Sequence, residues 1–213
     1  MCGIVGFVGE KEARQILVSC LKKLEYRGYD SAGFTTIFNG KLIIEKDIGK
    51  IDDIEKKNEL KRLKGFIGTA HCRWATHGKV TKENAHPHTD CKDIISIVHN
   101  GIIENYSELK NELVKKGHVF KSDTDTEVIA HLIEDNYNET IEDATKKALR
   151  KIEGSYALGI ISAKEPNKLI AARNESPLII GVGKGENYIA SDVPAILEHT
   201  KKVIYLDSGE IAV

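Results

Sequence analysis

Phe34-Thr35-Thr36-Ile37-Phe38-Asn39-Gly40-Lys41-Leu42-Ile43-Ile44 is the stretch that decides the fold class. Two runs of β-branched, aromatic and aliphatic residues flank Asn-Gly, a pair suited to a type I′ hairpin turn because both central residues take positive φ. The reading is a β-hairpin. Upstream, Gly3 to Val8 is a short apolar run with the character of a buried strand. Glu10 to Tyr26 follows with helical period, since Ile16, Leu17, Cys20, Leu21 and Leu24 recur at steps of three and four. Downstream, Ile51 to Leu63 is charged and helical, and Gly65 to Cys72 and Asp93 to Val98 read as strands. Asn105 with Glu108 has the form of a capping box opening a helix to Lys116. Thr124 with Glu127 opens another, whose apolar face is Val128, Ile129, Leu132 and Ile133, and Ile141 to Lys151 forms a third.

The last third is strand-rich: Tyr156–Ser162, Lys168–Ala172, Leu178–Val182, Tyr188–Ala190, Val203–Leu206 and Ile211–Val213, interrupted by a short helix over Pro194–Glu198. Strands dominate both ends and helices the middle. That order predicts an α+β fold with antiparallel pairing; a doubly wound parallel sheet would alternate more regularly. No Pro- or Ser-rich linker divides the chain, so residues 1–213 read as one domain. The order of the strands is not legible in the pattern.

Composition removes several functions. Lysine plus arginine is 31 and aspartate plus glutamate 32, a net charge of −1. A nucleic-acid or anionic-membrane surface needs a basic excess, which this balance does not supply. No apolar run approaches the length of a membrane span. The N-terminus lacks a basic segment ahead of its short apolar run and is not expected to be a secretory signal. Cys2, Cys20, Cys72 and Cys91 are therefore read as free thiols in a reducing, cytoplasmic compartment.

Several residues offer chemistry, each with a plainer alternative. Cys2 is a nucleophile if Met1 is removed, because an α-amine of pKa about 7.7–8.0 then lies beside a thiol of about 8.5; otherwise it packs as a small hydrophobe. Arg73-Trp74-Ala75-Thr76-His77-Gly78 leaves a strand, placing a bidentate cation, an aromatic ring, a hydroxyl and an imidazole in a loop. Asn100-Gly101 reads either as a turn or as an amide and a backbone N–H poised to form an oxyanion hole. Asp125, in the first turn of its helix, either favours the helix dipole or meets a ligand ammonium. Gly28, after Arg27, has the place of a helix-terminating glycine. His71, Cys72, His77, His86, His88 and Cys91 crowd one region, but their spacing fits no standard zinc pattern, so no metal and no cofactor are assigned. Gly181 to Gly185 reads as a turn between strands.

Taken together, Met1-Cys2-Gly3-Ile4-Val5-Gly6, YRGYDSAG over residues 26–33, RWATHG over 73–78, HNG over 99–101 and TDTE over 124–127 resemble the class II glutamine amidotransferases, which are N-terminal-nucleophile hydrolases. YRGYDSAG, with NAHPH over 84–88 and SDVPAIL over 191–197, most resembles the branch that converts fructose 6-phosphate to glucosamine 6-phosphate. One departure is Cys72, where the family often has Thr.

The resemblance covers the whole chain. It implies a four-layer αββα sandwich, with two antiparallel sheets between helix layers. It also implies that Cys2, freed of Met1, attacks the γ-amide of L-glutamine with its own α-amine as base. Asn100 and Gly101 would hold the oxyanion, Arg73 the substrate carboxylate and Asp125 its ammonium. Thr76 and His77 would add hydrogen bonds, Trp74 would line the ammonia exit, and Arg27 and Gly28 would support the nucleophile. Fructose 6-phosphate would enter only through a sugar-phosphate isomerase half absent from these 213 residues, in a homodimeric full-length protein. Two rivals stand beside this reading: the glutaminase domain of another class II enzyme, and a non-catalytic metal-binding module built on the His/Cys cluster.

Overall fold

The computed structural model describes residues 2–57, 59–74 and 79–213. The hairpin forms as its sequence requires. Strand β2 (Ser31–Phe38) pairs antiparallel with β3 (Lys41–Ile48) around Asn39 and Gly40, whose φ angles are 51° and 70°. Beyond the hairpin, β4 (Ile67–Arg73) lies against β2, and β1 (Gly3–Gly9) against β4. β10 (Glu186–Ala190), β9 (Ile179–Val182) and β11 (Val203–Tyr205) complete a seven-stranded sheet ordered β11-β9-β10-β1-β4-β2-β3. A second sheet is ordered β12-β8-β7-β6-β5, from Ile211–Ala212, Leu169–Asn174, Gly154–Ser162, Ile95–Ile103 and His88–Thr89. Every pairing in both sheets is antiparallel.

Side-chain alternation explains the layering. Along β1, Val5 and Phe7 face one apolar cluster and Ile4 faces another. Along β7, Leu158 and Ile160 face outward to helices, while Ala157 and Ile161 face the other sheet. Both sheets thus bury two faces, which gives three apolar layers rather than one. Helix α1 (Ala13–Lys22) and the shorter α2 (Ile51–Lys56) cover the seven-stranded sheet. Helices α3 (Tyr106–Lys115), α4 (Glu127–Asn136) and α5 (Ile141–Leu149) form the layer over the five-stranded sheet, with α4 directly against β5 and β6. The expected αββα sandwich is the observed one.

Boundaries differ where local signals competed with tertiary contacts. The helix expected over Glu10–Tyr26 spans only Ala13–Lys22, followed by a 3-10 turn at Glu25–Arg27. Ile51–Leu63 splits likewise into α2 and a 3-10 turn at Glu59–Arg62. Neither expected capping box forms. Asn105 is the N-cap of α3, but its amide bridges to Lys151 O (2.8 Å) and Glu153 N (3.1 Å) instead. The Glu127 carboxylate turns back to accept from Lys121 N, Ser122 N and the Ser122 hydroxyl, and Thr126 occupies the N-cap of α4. Asp125 therefore precedes its helix rather than lying in the first turn. The glycines of 181–185 do close the turn between β9 and β10, where Gly183 N donates to Glu186 O.

Candidate active site

Cys2 enters β1 beside the end of β4, which delivers Arg73 and Trp74 to the same edge. The Trp74 N–H donates to Cys2 Sγ at 3.2 Å, and the thiol lies 3.5 Å from the Trp74 carbonyl. Burial pushes the Cys2 thiol above its ordinary pKa, and the Trp74 backbone bond and the Arg73 charge oppose that shift. The group is thus a thiol in need of a base. Cys20 and Cys72 are buried in the core with pKa values of about 12, pushed up by burial. All four cysteines are free.

Asn100 and Gly101 are not a turn. They lie inside β6, paired with Ala157 and Tyr156 of β7, so the strand runs through the motif. Gly101 has φ +132°, and a Cβ there would stand 2.1 Å from Ser155 O, which requires glycine. Asn100 Nδ2 donates to Cys2 O at 3.1 Å. Its Oδ1 is held by His71 Nε2 at 3.0 Å. His71 stacks on His86 at 4.1 Å between centroids, and His86 Nδ1 accepts from His99 N at 3.2 Å. Burial holds all of these imidazoles below their usual pKa, His71 at about 3, so they are neutral hydrogen-bonding groups.

Asp125 is almost wholly buried, and its Oδ2 accepts from Ile103 N at 2.8 Å. Arg73 is also buried, and its NH1 donates to Lys79 O at 3.4 Å. Cys2, Arg73, Trp74, Asn100, Gly101 and Asp125 line one pocket with His86, His99, Thr124 and Thr126. Trp74 is 46% exposed at its rim, with Tyr29 edge-on at 5.7 Å. Thr76 and His77 lie outside the described residues.

The supporting residues work through the backbone. Arg27 Nε donates to Cys2 O at 3.1 Å, and Arg27 NH1 pairs with Asp192 Oδ2 at 3.0 Å. Tyr26 OH donates to the same Asp192 oxygen at 2.8 Å. Gly28 does not end a helix in the left-handed conformation; its φ is −179°. It is small because a Cβ would meet Arg73 C and Trp74 N at 2.8 Å. Sequence reasoning noted His71 only within the His/Cys group and Asp192 only within SDVPAIL, and gave neither a supporting role. The signal for Asp192 was present in SDVPAIL, whose Ser191 also accepts from Ile4 N at 3.0 Å.

Known proteins resemble this chain in sequence and in fold. The family described as "Glutamine amidotransferase domain" matches residues 71–198. A glutamine–fructose-6-phosphate aminotransferase (isomerizing) of Pyrococcus horikoshii is 55% identical over 215 aligned residues, covering 100% of this chain and 36% of that protein. The Aquifex aeolicus protein of the same name is 57% identical over 212, with the same coverage. The chain thus spans about a third of the length of these curated relatives. Among solved structures, the glutamine phosphoribosylpyrophosphate amidotransferase of B. subtilis superposes with a TM-score of 0.86 at 30% identity, over 99% of this chain and 46% of that one. A class-II glutamine aminotransferase domain protein from Silicibacter pomeroyi shares the fold at 12% identity, with a TM-score of 0.69 over 99% of this chain and 93% of that one. A profile that matches more than half of the residues, on a sandwich that gathers Cys2, Arg73, Asn100 and Asp125 in one pocket, places the chain in the glutamine amidotransferase domain family.

Proposed function

We propose that this chain hydrolyses the γ-amide of L-glutamine through Cys2, and that the longer protein uses the ammonia to convert fructose 6-phosphate to glucosamine 6-phosphate. The observation that carries the first part is the convergence of Cys2, Arg73, Asn100, Gly101 and Asp125 on one pocket. Glutamine is a zwitterion, so its recognition needs one cation and one anion. Arg73 takes the α-carboxylate with a planar fork of donors. Asp125 takes the α-ammonium. Thr76 and His77 add hydrogen bonds, and Trp74 lines the way out for ammonia.

The chemistry follows from the protonation states. The α-amine of Cys2, free once Met1 is removed, accepts the thiol proton, and Sγ attacks the amide carbon. Negative charge moves to the amide oxygen, where Asn100 Nδ2 and Gly101 N–H donate to it. The Cys2 ammonium returns its proton to the leaving nitrogen, ammonia departs and a γ-glutamyl thioester remains. Water, deprotonated by the same amine, adds to the thioester; collapse releases glutamate and restores the thiol. The burial-raised thiol supports this order, because a standing thiolate would make the amine unnecessary.

The names of relatives at 55% and 57% identity support fructose 6-phosphate as the acceptor in the longer protein, reached through an isomerase half. Homodimerisation of that protein and a cytoplasmic location belong to the same reading. Among the described residues no helix is long and apolar enough to cross a membrane. The test is ammonia release from glutamine by this chain, in buffer and in chelator. Release that survives the chelator supports the thiol route; none with the α-amine of Cys2 free overturns it. The complete protein, given glutamine with fructose 6-phosphate or a phosphoribosyl acceptor, identifies the acceptor.

A further inference from the structure

A second constellation lies outside the pocket. Cys91 follows β5, His118 follows α3, and His131 and Glu134 sit one turn apart on α4. Four donor atoms from these residues converge. His118 Nδ1 and His131 Nδ1 are 3.3 Å apart. Cys91 Sγ is 3.6 Å from the first and 3.5 Å from the second. Glu134 Oε2 is 3.1 Å from His118 Nδ1 and 3.5 Å from His131 Nδ1, and it also accepts from Cys91 N at 3.2 Å.

These separations are five of the six edges of a tetrahedron, and the sixth, from Cys91 Sγ to the Glu134 carboxylate, lies within 4.8 Å. With Zn–N and Zn–O of about 2.0–2.2 Å and Zn–S of about 2.3 Å, tetrahedral edges are about 3.3–3.6 Å between N or O atoms and about 3.5–3.7 Å to sulfur, close to the five separations here. A thiolate, two imidazoles and a carboxylate form a donor set suited to zinc rather than to magnesium or calcium.

The surrounding groups match as well. A metal-bound imidazole is usually oriented by a carboxylate at its other nitrogen. His131 Nε2 is buried without a hydrogen-bond partner and lies 3.6 Å from Glu127 Oε1. His118 Nε2 lies 3.8 Å from Asp135 Oδ1. Phe120 packs on the His131 ring at 4.3 Å between centroids.

We propose that Cys91, His118, His131 and Glu134 bind one zinc ion in a closed, structural site. Four protein donors leave no open position for a reacting group. The ion ties the β5–β6 turn and the segment before α4 to α4 itself. Glu127 continues the tie, since it accepts from Ser122, whose hydroxyl meets Thr124 Oγ1 at 3.0 Å, next to Asp125. Of the His/Cys group noted in the sequence, only Cys91 takes part.

The test does not depend on glutamine hydrolysis. The chain is stripped with chelator, then titrated with Zn(II) against a chromophoric competitor and, separately, with Co(II). The proposal expects one equivalent of Zn(II), tetrahedral Co(II) bands in the visible and a thiolate-to-cobalt charge-transfer band. Cys91→Ser should abolish the charge-transfer band, and His118→Ala should weaken Zn(II) binding at least tenfold. Glu127→Gln should weaken it by roughly 10–100-fold, the usual effect of losing an orienting carboxylate. Cys91 and His118 are partly exposed, so these variants are expected to keep the wild-type circular dichroism. Octahedral Co(II), no stoichiometric zinc, or binding that both ligand variants retain would overturn the site.

Discussion

His71 Nε2 lies 3.0 Å from Asn100 Oδ1 and 3.0 Å from the carbonyl oxygen of His99, so one imidazole N–H decides which way the Asn100 amide faces. Both partners are acceptors, which assigns the proton to Nε2. With Oδ1 held, Nδ2 is turned toward Cys2. Loss of an oxyanion donor outright, as in Asn100→Ala, should lower kcat by roughly 10²–10³-fold. His71→Leu frees the amide to flip and should lower kcat by less than that, with KM unchanged. His71→Gln restores an N–H donor and should recover much of the loss. Steady-state ammonia release from glutamine measures all three, and a Leu variant with wild-type kcat would remove His71 from this role.

Cys2→Ala should abolish ammonia release. The fold should survive, because Cys2 lies just before the first residue of β1, at a strand end, and outside the three apolar clusters. The far-ultraviolet spectrum and thermal midpoint check the second half. Full activity in this variant would exclude Cys2 as the nucleophile, and Cys20 and Cys72, buried among aliphatic side chains, offer no replacement.

Asp125 has two tasks that substitutions can separate. Its carboxylate accepts from Ile103 N inside the fold and is proposed to meet the substrate ammonium. Asp125→Asn keeps an acceptor for Ile103 but loses the charge. It should raise KM for glutamine at least tenfold with little change in stability. Asp125→Ala should add a stability loss of about 1–3 kcal/mol, since a buried N–H is left unpaired. Equal KM values for wild type and the Asn variant would contradict the ammonium assignment.

The histidines predict a direction for acid stability. His71, His86, His88 and His99 are each held below their ordinary pKa, first by burial and, except at His99, also by repulsion from neighbouring charges. In the unfolded chain they titrate near 6.5. Above that pH both states are neutral and these groups leave stability unchanged. As pH falls from about 6.5 toward the folded value of about 3 for His71, the unfolded state binds protons first and stability is lost. Each histidine contributes up to about 1.4 kcal/mol per pH unit in that window. Urea midpoints should be flat from pH 7 to 8 and fall between 6.5 and 5, above the range where carboxylates titrate. A midpoint that rises on acidification would refute buried neutral rings.

Much of this molecule was legible in local pattern. Asn39-Gly40 specified a turn whose positive φ values follow directly from residue type, and the helix expected from Ile141 formed as α5, where Ile141, Ala144 and Ala148 join the same apolar cluster as α4. What was not legible depended on groups distant in sequence. Asn100-Gly101 has the wording of a turn, but pairing with Ala157 and Tyr156 draws it into a strand. Asn105 and Glu127 carry capping signatures, yet better partners arrive from residues 151–153 and 121–122. The zinc ligands evaded spacing rules because three separate segments supply them. Only His131-x-x-Glu134, on one helical face, was a local signal.

Gly28 offers a test of how the nucleophile is seated. Its Cα faces the peptide joining Arg73 to Trp74, and a Cβ would come within 2.8 Å of both Arg73 C and Trp74 N. Real Cβ atoms do not approach so closely, so Gly28→Ala must displace that peptide. Trp74 N donates to Cys2 Sγ, and Arg73 is the proposed carboxylate anchor, so displacement moves the thiol's partner and the substrate's anchor together. Its φ of −179° is extended backbone that alanine also adopts, so conformational strain adds nothing to the steric effect. The expected outcome is a loss in kcat/KM of roughly 10²-fold, the scale associated with a displacement of about 1 Å at a reacting centre. Alkylation of Cys2 by iodoacetamide should also change in rate. If Gly28→Ala kept both values, the close contact between this segment and the Arg73–Trp74 peptide would have no part in seating Cys2.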